Sequence, residues 1–243
     1  MSSFNPERLI RRAANRCGVE IHRHRPEASE AGRLSAMLAH HHVDLVLDVG
    51  ANTGQFACQL REAGYAGRVV SFEPLSQAHA MLVSASQRDA RWDVAPRIAI
   101  GDHEGEIDIH VAGNSVSSSA LGMLDKHIAA APDSAYVGTE RVGLSRLDCL
   151  ATAYMGTETN VFLKIDTQGY EDRVLDGATD LVGRIVGLQI EMSFVPLYAG
   201  QRLYPDLVRR LSASGFSIWA VWPGLCDPVS GRMLQVDVVF FRD

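Results

Sequence analysis

Hydrophobic runs alternate with helical patterns through the first half of the chain. The run Leu45–Val49 (LVLDV) is followed by a glycine-containing turn, beyond which the apolar positions recur with the period of a helix. Strand, helix, strand, helix, strand at this spacing predicts a right-handed parallel sheet. The predicted elements are a strand at Leu45–Val49, a helix at Gln55–Ala63, a strand at Arg68–Phe72, a helix at Ser76–Gln87 and a third strand that ends with Arg97–Ile100.

The middle of the chain has a different pattern. Glu106–Val111 (EIDIHV) alternates between polar and apolar residues, which predicts a half-exposed antiparallel strand. It leads into the polar tract Ala112–Ala120 (AGNSVSSSA). The parallel pattern then resumes with a strand at Val161–Ile165, a helix from about Tyr170 to Leu181, a strand at Val186–Ile190 that ends at Glu191, and a helix at Tyr204–Ser214.

Two β-rich runs, Ser217–Val221 and Gln235–Phe241, follow the last predicted helix. Prolines and glycines fill the segment between them, which predicts a long hairpin loop and an antiparallel last strand. The chain is therefore predicted to be an α/β protein with a doubly wound, mostly parallel seven-stranded sheet and an antiparallel C-terminal strand. We expect residues 43–243 to form this domain and residues 1–42 to form a helical extension.

Composition argues against several classes of protein. The chain has 243 residues and a net charge of −6, and a general nucleic-acid binder would be expected to be basic. No stretch approaches the ~20 apolar residues of a membrane span, and the first residues lack the apolar region of a signal peptide, so a cytoplasmic location is expected. The four cysteines are far apart and read as free thiols. The oligomeric state is left open.

Arginines cluster near the N-terminus. Arg8, Arg11, Arg12 and Arg16 have helical spacing, with small and apolar residues mostly on the other side. One interpretation is a helix at a membrane surface, which would place the protein peripherally at the inner face of a membrane. The other, which we prefer, is a helix packed over the fold with its arginines in water.

The turn after the first strand reads D-V-G-A-N-T-G, from Asp48 to Gly54. A strand-to-helix turn of this kind typically presents backbone N–H groups and the positive end of a helix dipole to a ligand. The dinucleotide motif G-x-G-x-x-G is not matched, because Asn52 stands where its second glycine would be. A P-loop is excluded because no lysine is nearby.

S-adenosylmethionine (SAM) carries no phosphate, and it fits the turn better than a nucleotide. Glu73, at the end of the second strand, can accept hydrogen bonds from the ribose hydroxyls, and Asp48 can orient the methionine amino group. Gly50 allows the backbone to lie against the ligand, so Asp48, Gly50, Asn52, Gly54 and Glu73 are the predicted cofactor contacts from these two strands. The antiparallel last strand favours a methyltransferase. A NAD-dependent oxidoreductase and a non-catalytic SAM- or nucleotide-binding module are the alternatives.

The chain resembles the FkbM-type SAM-dependent methyltransferases over roughly residues 43–215. The resemblance rests on the motifs DVGANTGQF, VVSFEP, AIGDHEGE, NSVSSSA, LSRLDCL and FLKIDTQGYEDRVLDGA. It implies methylation of a hydroxyl group on a sugar, glycolipid or polyketide, and it suggests that Asp102 approaches the adenine. The overall pattern is similar to that of mycobacterial members that methylate sugars of cell-wall glycolipids, so a glycoside or glycolipid acceptor is expected.

Acids at the ends of later strands are the candidates for the chemistry. A hydroxyl acceptor has a very high pKa, so some group should take its proton as the new bond forms. Asp166 ends the strand VFLKID and Glu191 ends the next one, so these two are the predicted catalytic residues. Glu171 is interpreted as mainly structural, and His110 is a less favoured candidate. Two acids without a third ligand make a weak Mg²⁺ site, so no metal is predicted.

Overall fold

Seven strands form one sheet in the computed structural model, which describes residues 6–19, 29–156 and 160–242. In chain order the strands are β1 (Leu45–Val49), β2 (Arg68–Phe72), β3 (Trp92–Val94), β4 (Ala99–Gly101), β5 (Gly105–Ala112), β6 (Tyr136–Arg146), β7 (Val161–Ile165), β8 (Ile185–Ser193), β9 (Phe216–Pro223) and β10 (Gln235–Arg242). The helices are α1 (Pro6–Arg16), α2 (Glu30–His40), α3 (Gln55–Glu62), α4 (Ser76–Ser86), α5 (Asp125–Ala130), α6 (Leu147–Tyr154), α7 (Glu171–Asp176) and α8 (Tyr204–Ala213).

The main sheet has the strand order β3-β2-β1-β7-β8-β10-β9. The first five of these strands are parallel, and β10 runs antiparallel to both β8 and β9. Proline and glycine in the loop between β9 and β10 exclude a crossover helix, so the chain returns as a hairpin. The predicted seven-stranded sheet with an antiparallel C-terminal strand is confirmed.

The third strand was predicted in the wrong place. Trp92–Val94, and not the segment ending at Ile100, pairs with β2 in the main sheet. The Trp92 side chain is buried, and its indole N–H donates to the Ser71 hydroxyl at 3.0 Å, which holds this short strand at the edge. Pro96 then follows, and the chain leaves the main sheet before β4 begins.

A second, three-stranded sheet with the order β4-β6-β5 was not predicted from the sequence. The alternating strand β5 is antiparallel, as expected, and its partner is the polar strand β6. The apolar side of this sheet, including Ile109 and Leu144, packs against Leu75 and Ala78 at the start of α4. The small sheet therefore stands beside the carboxyl ends of β1 and β2.

Each face of the main sheet has its own core. Strand alternation sends Leu45, Leu47 and Val49 into one cluster and Val46 into the other. Leu34 and Leu38 of α2 are buried in the second cluster, so α2 packs directly on the sheet.

The other N-terminal helix, α1, does not match our preferred interpretation. Its side chains from residue 10 onward, and those of residues 17–19 that follow it, are exposed except for half-buried Ala14. These residues are not packed over the fold. In the described part of the chain, no helix is both long enough and apolar enough to cross a membrane.

Two element ends differ from expectation near the predicted catalytic acids. The helix expected to reach Leu181 ends at Asp176, and Gly177, which follows it, lies against the backbone of Gly101. A Cβ at Gly177 would lie 1.8 Å from the Gly101 carbonyl oxygen. Strand β8 continues to Ser193, so Glu191 lies inside the strand and not beyond its end.

Candidate functional site

A cavity of about 260 Å³ opens at the carboxyl ends of β1, β2 and β7. In a doubly wound sheet the connections from neighbouring central strands diverge here, which leaves a crevice for a ligand. The cavity is lined by six segments: the turn after β1, the start of α3, the end of β2, the apolar faces of β4 and β5, the serine tract (residues 112–120), and the end of β7 with the turn that follows it.

The backbone amides of the glycine turn after β1, residues 50–54, donate hydrogen bonds to other groups of the protein. The N–H groups of Gly50 and Ala51 donate to the Phe72 carbonyl, and that of Asn52 donates to Glu73. The amides of Thr53 and Gly54 are likewise bound within the turn. The expectation that this turn presents its amides to a ligand is therefore wrong for residues 50–54, and it offers no nest for a phosphate.

Position 50 requires glycine because the backbone that follows β1 lies close to the backbone that follows β7. It has φ +79°, and a Cβ there would lie 1.9 Å from the backbone oxygen of Asp166. Gly54, with φ +94°, packs against the Trp92 ring and does not line the cavity. Asn52 lines it with a left-handed φ of +47°. Gly50 and Asn52 thus stand at the predicted site, and Gly54 supports it from behind.

Replacing Gly50 with alanine should destabilise the protein by about 3 kcal/mol or more, because strain at positive φ adds to a backbone clash. Gly64 provides a matched control, since its φ is +91° but nothing lies within 4 Å of its Cβ position. Gly64→Ala should cost only about 1–2 kcal/mol. Urea unfolding of both variants measures the two changes in the free energy of unfolding. Equal changes would contradict the prediction, because they would show that the Cβ at position 50 does not clash with Asp166.

Glu73 is the buried acid at the cavity. Its side chain is held by two backbone amides, since Asn52 and Leu75 each donate to one carboxylate oxygen at 2.8 Å. The residue is 4% exposed, and burial raises its pKa to about 7 although both amides favour the charged form. Each oxygen has a second lone pair for a ligand. The structure thus places Glu73 where the sequence predicted a ribose acceptor.

Asp48 lies behind the cavity wall and is not part of its lining. It is fully buried, accepts a hydrogen bond from the Ser71 hydroxyl at 3.2 Å, and lies 3.5 Å from the Lys164 ammonium. Burial raises its pKa, which Lys164 and Ser71 oppose. Its predicted contact with the methionine amino group stays a prediction. The Lys164 ammonium lies within 3.5 Å of carboxylate oxygens of both Asp48 and Asp166.

Lys164 is a site residue that the sequence reasoning missed. Its ammonium lies 3.2 Å from the Gly50 carbonyl oxygen and 3.3 Å from a carboxylate oxygen of Asp166. Burial opposes the charge, but the carboxylates of Asp166, Asp48 and Asp237 outweigh it and raise the pKa of Lys164. The sequence did contain a signal, because Lys164 lies two residues before Asp166 and residues two apart in a strand lie on the same face.

Asp166 lines the cavity directly after β7, with its side chain 35% exposed. The amide NH₂ of Gln168 donates to Asp166 at 2.7 Å and to Glu191 at 2.8 Å. Gln235 also donates to Glu191, at 2.9 Å. Gln168, with φ +55°, therefore joins the two predicted catalytic acids.

Glu191 is half-buried and does not line the cavity. Burial and the nearby charges of Asp166 and Glu171 raise its pKa well above the usual range. The structure brings it to Asp166 only through Gln168, so its predicted catalytic role stays a prediction.

Glu171 is structural, as its position at a helix start indicated. One of its oxygens accepts hydrogen bonds from the amide and hydroxyl of Thr167 and from the amide of Gly169. These contacts close the turn that carries Asp166 and Gln168. Burial raises the pKa of Glu171 to about 7.

The serine tract is docked at the cavity mouth. The Ser119 hydroxyl donates to the Gln168 carbonyl at 2.6 Å, and the Asn52 amide donates to the Ser115 hydroxyl at 3.4 Å. Val116, Ser118 and Ser119 line the cavity. His110 stacks on Tyr136 with ring centroids 4.8 Å apart and lies outside the lining.

The structure does not bring Asp102 to the cavity. Its carboxylate lies 2.6 Å from a ring nitrogen of His103 and accepts a hydrogen bond from Arg173 at 3.0 Å. The hydrogen bond with His103, helped by Arg173, lowers its pKa. Its predicted approach to an adenine stays a prediction. Within residues 6–19, 29–156 and 160–242, no group of three or more His, Cys, Asp or Glu side chains could hold a metal ion.

Comparisons with known proteins place the chain among methyltransferases. The family model described as the methyltransferase FkbM domain matches residues 48–218. No curated protein matches the chain. Several solved structures resemble the chain at low identity. Magnesium protoporphyrin IX methyltransferase from Synechocystis PCC 6803 with bound SAM is 12% identical, with 100% of both chains covered and a TM-score of 0.46. A rRNA methylase from Streptococcus thermophilus is 13% identical, covering 91% of this chain and 99% of that one, with a TM-score of 0.43.

Proposed function

The chain belongs to the FkbM methyltransferase family, and on that premise we propose that it transfers a methyl group from SAM to a hydroxyl group of a sugar, on a glycolipid or a similar glycoside. The observation that carries the proposal is Glu73, a buried carboxylate in the cavity at the end of β2. Its two free lone-pair positions suit the vicinal hydroxyls of a ribose.

The rest of the cavity fits the same cofactor. Phe72, Leu75, Ile98 and Ile100 line it beside Glu73 and form an apolar wall for an adenine ring. The internally bound amides of residues 50–54 favour a ligand without a phosphate. Asp48, Gly50, Asn52 and Gly54 build the turn that supports the amino-acid end.

The residues after β7 are suited to the acceptor. Bound SAM supplies a methyl group on a sulfonium, so the protein has to hold the acceptor oxygen in line and receive its proton. Asp166 faces the cavity and can take that proton at a carboxylate oxygen. Gln168 fixes the orientation of Asp166, Glu191 accepts from Gln168 and holds it, and Gln235 donates to Glu191. In this arrangement Glu191 is a positioning residue.

The serine tract gives the site a cover. Ser119 and Ser115 tie it to the turns after β7 and β1, which are the two turns that would hold acceptor and cofactor. A cover of this kind excludes water, which would otherwise compete with the acceptor hydroxyl.

A lipid-linked acceptor would bring the protein to a membrane surface, and α1 is suited to that contact. Ile10 is 58% exposed, and Arg11, Arg12 and Arg16 are exposed on the same short helix. Arginines near an anionic surface contribute about 1 kcal/mol each. We include peripheral contact through α1 in the proposal.

Methyl transfer from isotope-labelled SAM tests the function. The protein is incubated with free sugars, alkyl glycosides and extracted glycolipids, and with amines and RNA as controls, and the products are analysed by mass spectrometry. We expect labelled methyl ethers on glycoside hydroxyls. Label only on nitrogen, or only on RNA, would contradict transfer to a glycoside hydroxyl.

A further inference from the structure

Lys164 has the right place and charge to bind a part of the cofactor that nothing above accounts for. Its side chain is 7% exposed, and it lines the cavity between the turn after β1 and Asp166. Of the described residues that line the cavity, Lys164 is the only cation. The acids Glu73 and Asp166 line the same space.

The methionine part of SAM carries a carboxylate, which needs a donor in the protein. The amides of residues 50–54 are bound internally and cannot supply one. The amide of Gln168 is directed at two acids of the protein. Other donors nearby, such as the side chains of Asn52, Gln55 and Tyr170 and the first-turn amides of α3, are neutral, so Lys164 is the one charged donor among the described lining residues.

The contacts of Lys164 leave room for a better acceptor. Strong charge-assisted hydrogen bonds from nitrogen to oxygen measure about 2.7–2.9 Å. The ammonium of Lys164 lies 3.2, 3.3 and 3.5 Å from Gly50, Asp166 and Asp48. Two carboxylates already hold it in place, so a third can be bound without moving the side chain far.

We propose that Lys164 binds the carboxylate of the methionine moiety of SAM and makes the site specific for cofactors that carry it. The inference rests on the proposed function, because it assumes SAM in this cavity. It adds a selectivity: a sulfonium nucleoside that lacks the carboxylate would be rejected. The first-turn amides of α3 are the competing donor.

Two ligands separate the carboxylate from the rest of the cofactor. S-adenosylhomocysteine has it, and decarboxylated S-adenosylhomocysteine keeps the ammonium, thioether and adenosine without it. Isothermal titration of both into the wild-type protein should show a preference for the carboxylate form on the order of 10- to 100-fold, which is typical of one charge-assisted hydrogen bond.

The variant Lys164→Met should remove that preference, so that both ligands bind about equally, with the affinity for the decarboxylated form little changed. Lys126→Met is the matched control, because Lys126 is the chain's only other lysine and is exposed on α5. It should keep the wild-type preference. Circular dichroism checks the fold.

Lys164→Met leaves Asp48 buried without its partner and can fail to fold. The double variant Asp48→Asn/Lys164→Met removes both charges and repeats the test. The proposal is overturned if the wild type binds both ligands equally, or if a folded Lys164 variant keeps the preference, which would place the carboxylate on a neutral donor such as the first-turn amides of α3. A wild type that binds neither ligand would overturn the proposed cofactor as well.

Discussion

Replacing Asp166 with asparagine is expected to lower turnover by ~10²–10⁴-fold, the usual range for a general base, while affinity for the cofactor changes little. Asparagine keeps the size of the side chain but cannot accept the hydroxyl proton. A carboxylate is a much weaker base than the alkoxide of a sugar. The proton therefore has to move late, once bond formation has made the oxygen acidic.

The matched control is Asp176→Asn on α7, whose carboxylate pairs with Arg210 at the surface, 2.7 Å away. It should leave turnover unchanged. Wild-type activity in excess EDTA separates a base from a metal ligand, and we expect full activity there. Loss in EDTA with recovery in Mg²⁺ would contradict the prediction of a metal-free site. An Asp166→Asn variant with wild-type turnover would contradict the role of Asp166 as the base.

Replacing Glu73 with glutamine is expected to weaken S-adenosylhomocysteine binding by roughly 10- to 150-fold, because it removes a charged acceptor from the ribose site. Both oxygens of Glu73 accept backbone amides, so a glutamine NH₂ must also face one amide donor and lose that bond. Part of the loss of affinity therefore comes from the lost hydrogen bond with the backbone amide and not from the lost contact with the ribose.

The pH dependence of binding separates the two effects. The pKa of Glu73 in the free protein is raised to about 7, and the ionised form is the better acceptor. Affinity in the wild type should therefore be full above pH 7 and fall as the pH drops through 7 toward 6, approaching tenfold per unit below the pKa. Glu73→Gln should show no such fall. A wild-type affinity independent of pH between 6 and 8 would contradict this role for Glu73.

The main sheet could be predicted because its central strands are short hydrophobic runs that end at turn residues. The strands β1, β2 and β7 agree with the predicted bounds residue for residue. β3 was missed because Trp92–Val94 is only three residues long and contains an acid. β6 was missed because most of its residues are polar or glycine, and only its pairing with β5 makes it a strand.

The site could be predicted where it depends on strand ends alone. Glu73 and Asp166 follow parallel strands, whose carboxyl ends share one edge, and both line the cavity. Asp102 was expected there too, but Arg173 from the neighbouring helix holds its carboxylate outside. Lys164 and Gln168 were missed, because their importance comes from contacts between turns that are far apart in the chain.

Titration of S-adenosylhomocysteine into the wild-type protein at pH 8 tests the central claim most directly, because it requires no knowledge of the acceptor. A single site per chain is predicted, with an affinity that depends on Glu73 and with NAD failing to compete. Absence of binding heat at ligand concentrations well above those used for other methyltransferases, or displacement of the ligand by NAD, would contradict the assignment of this cavity to SAM.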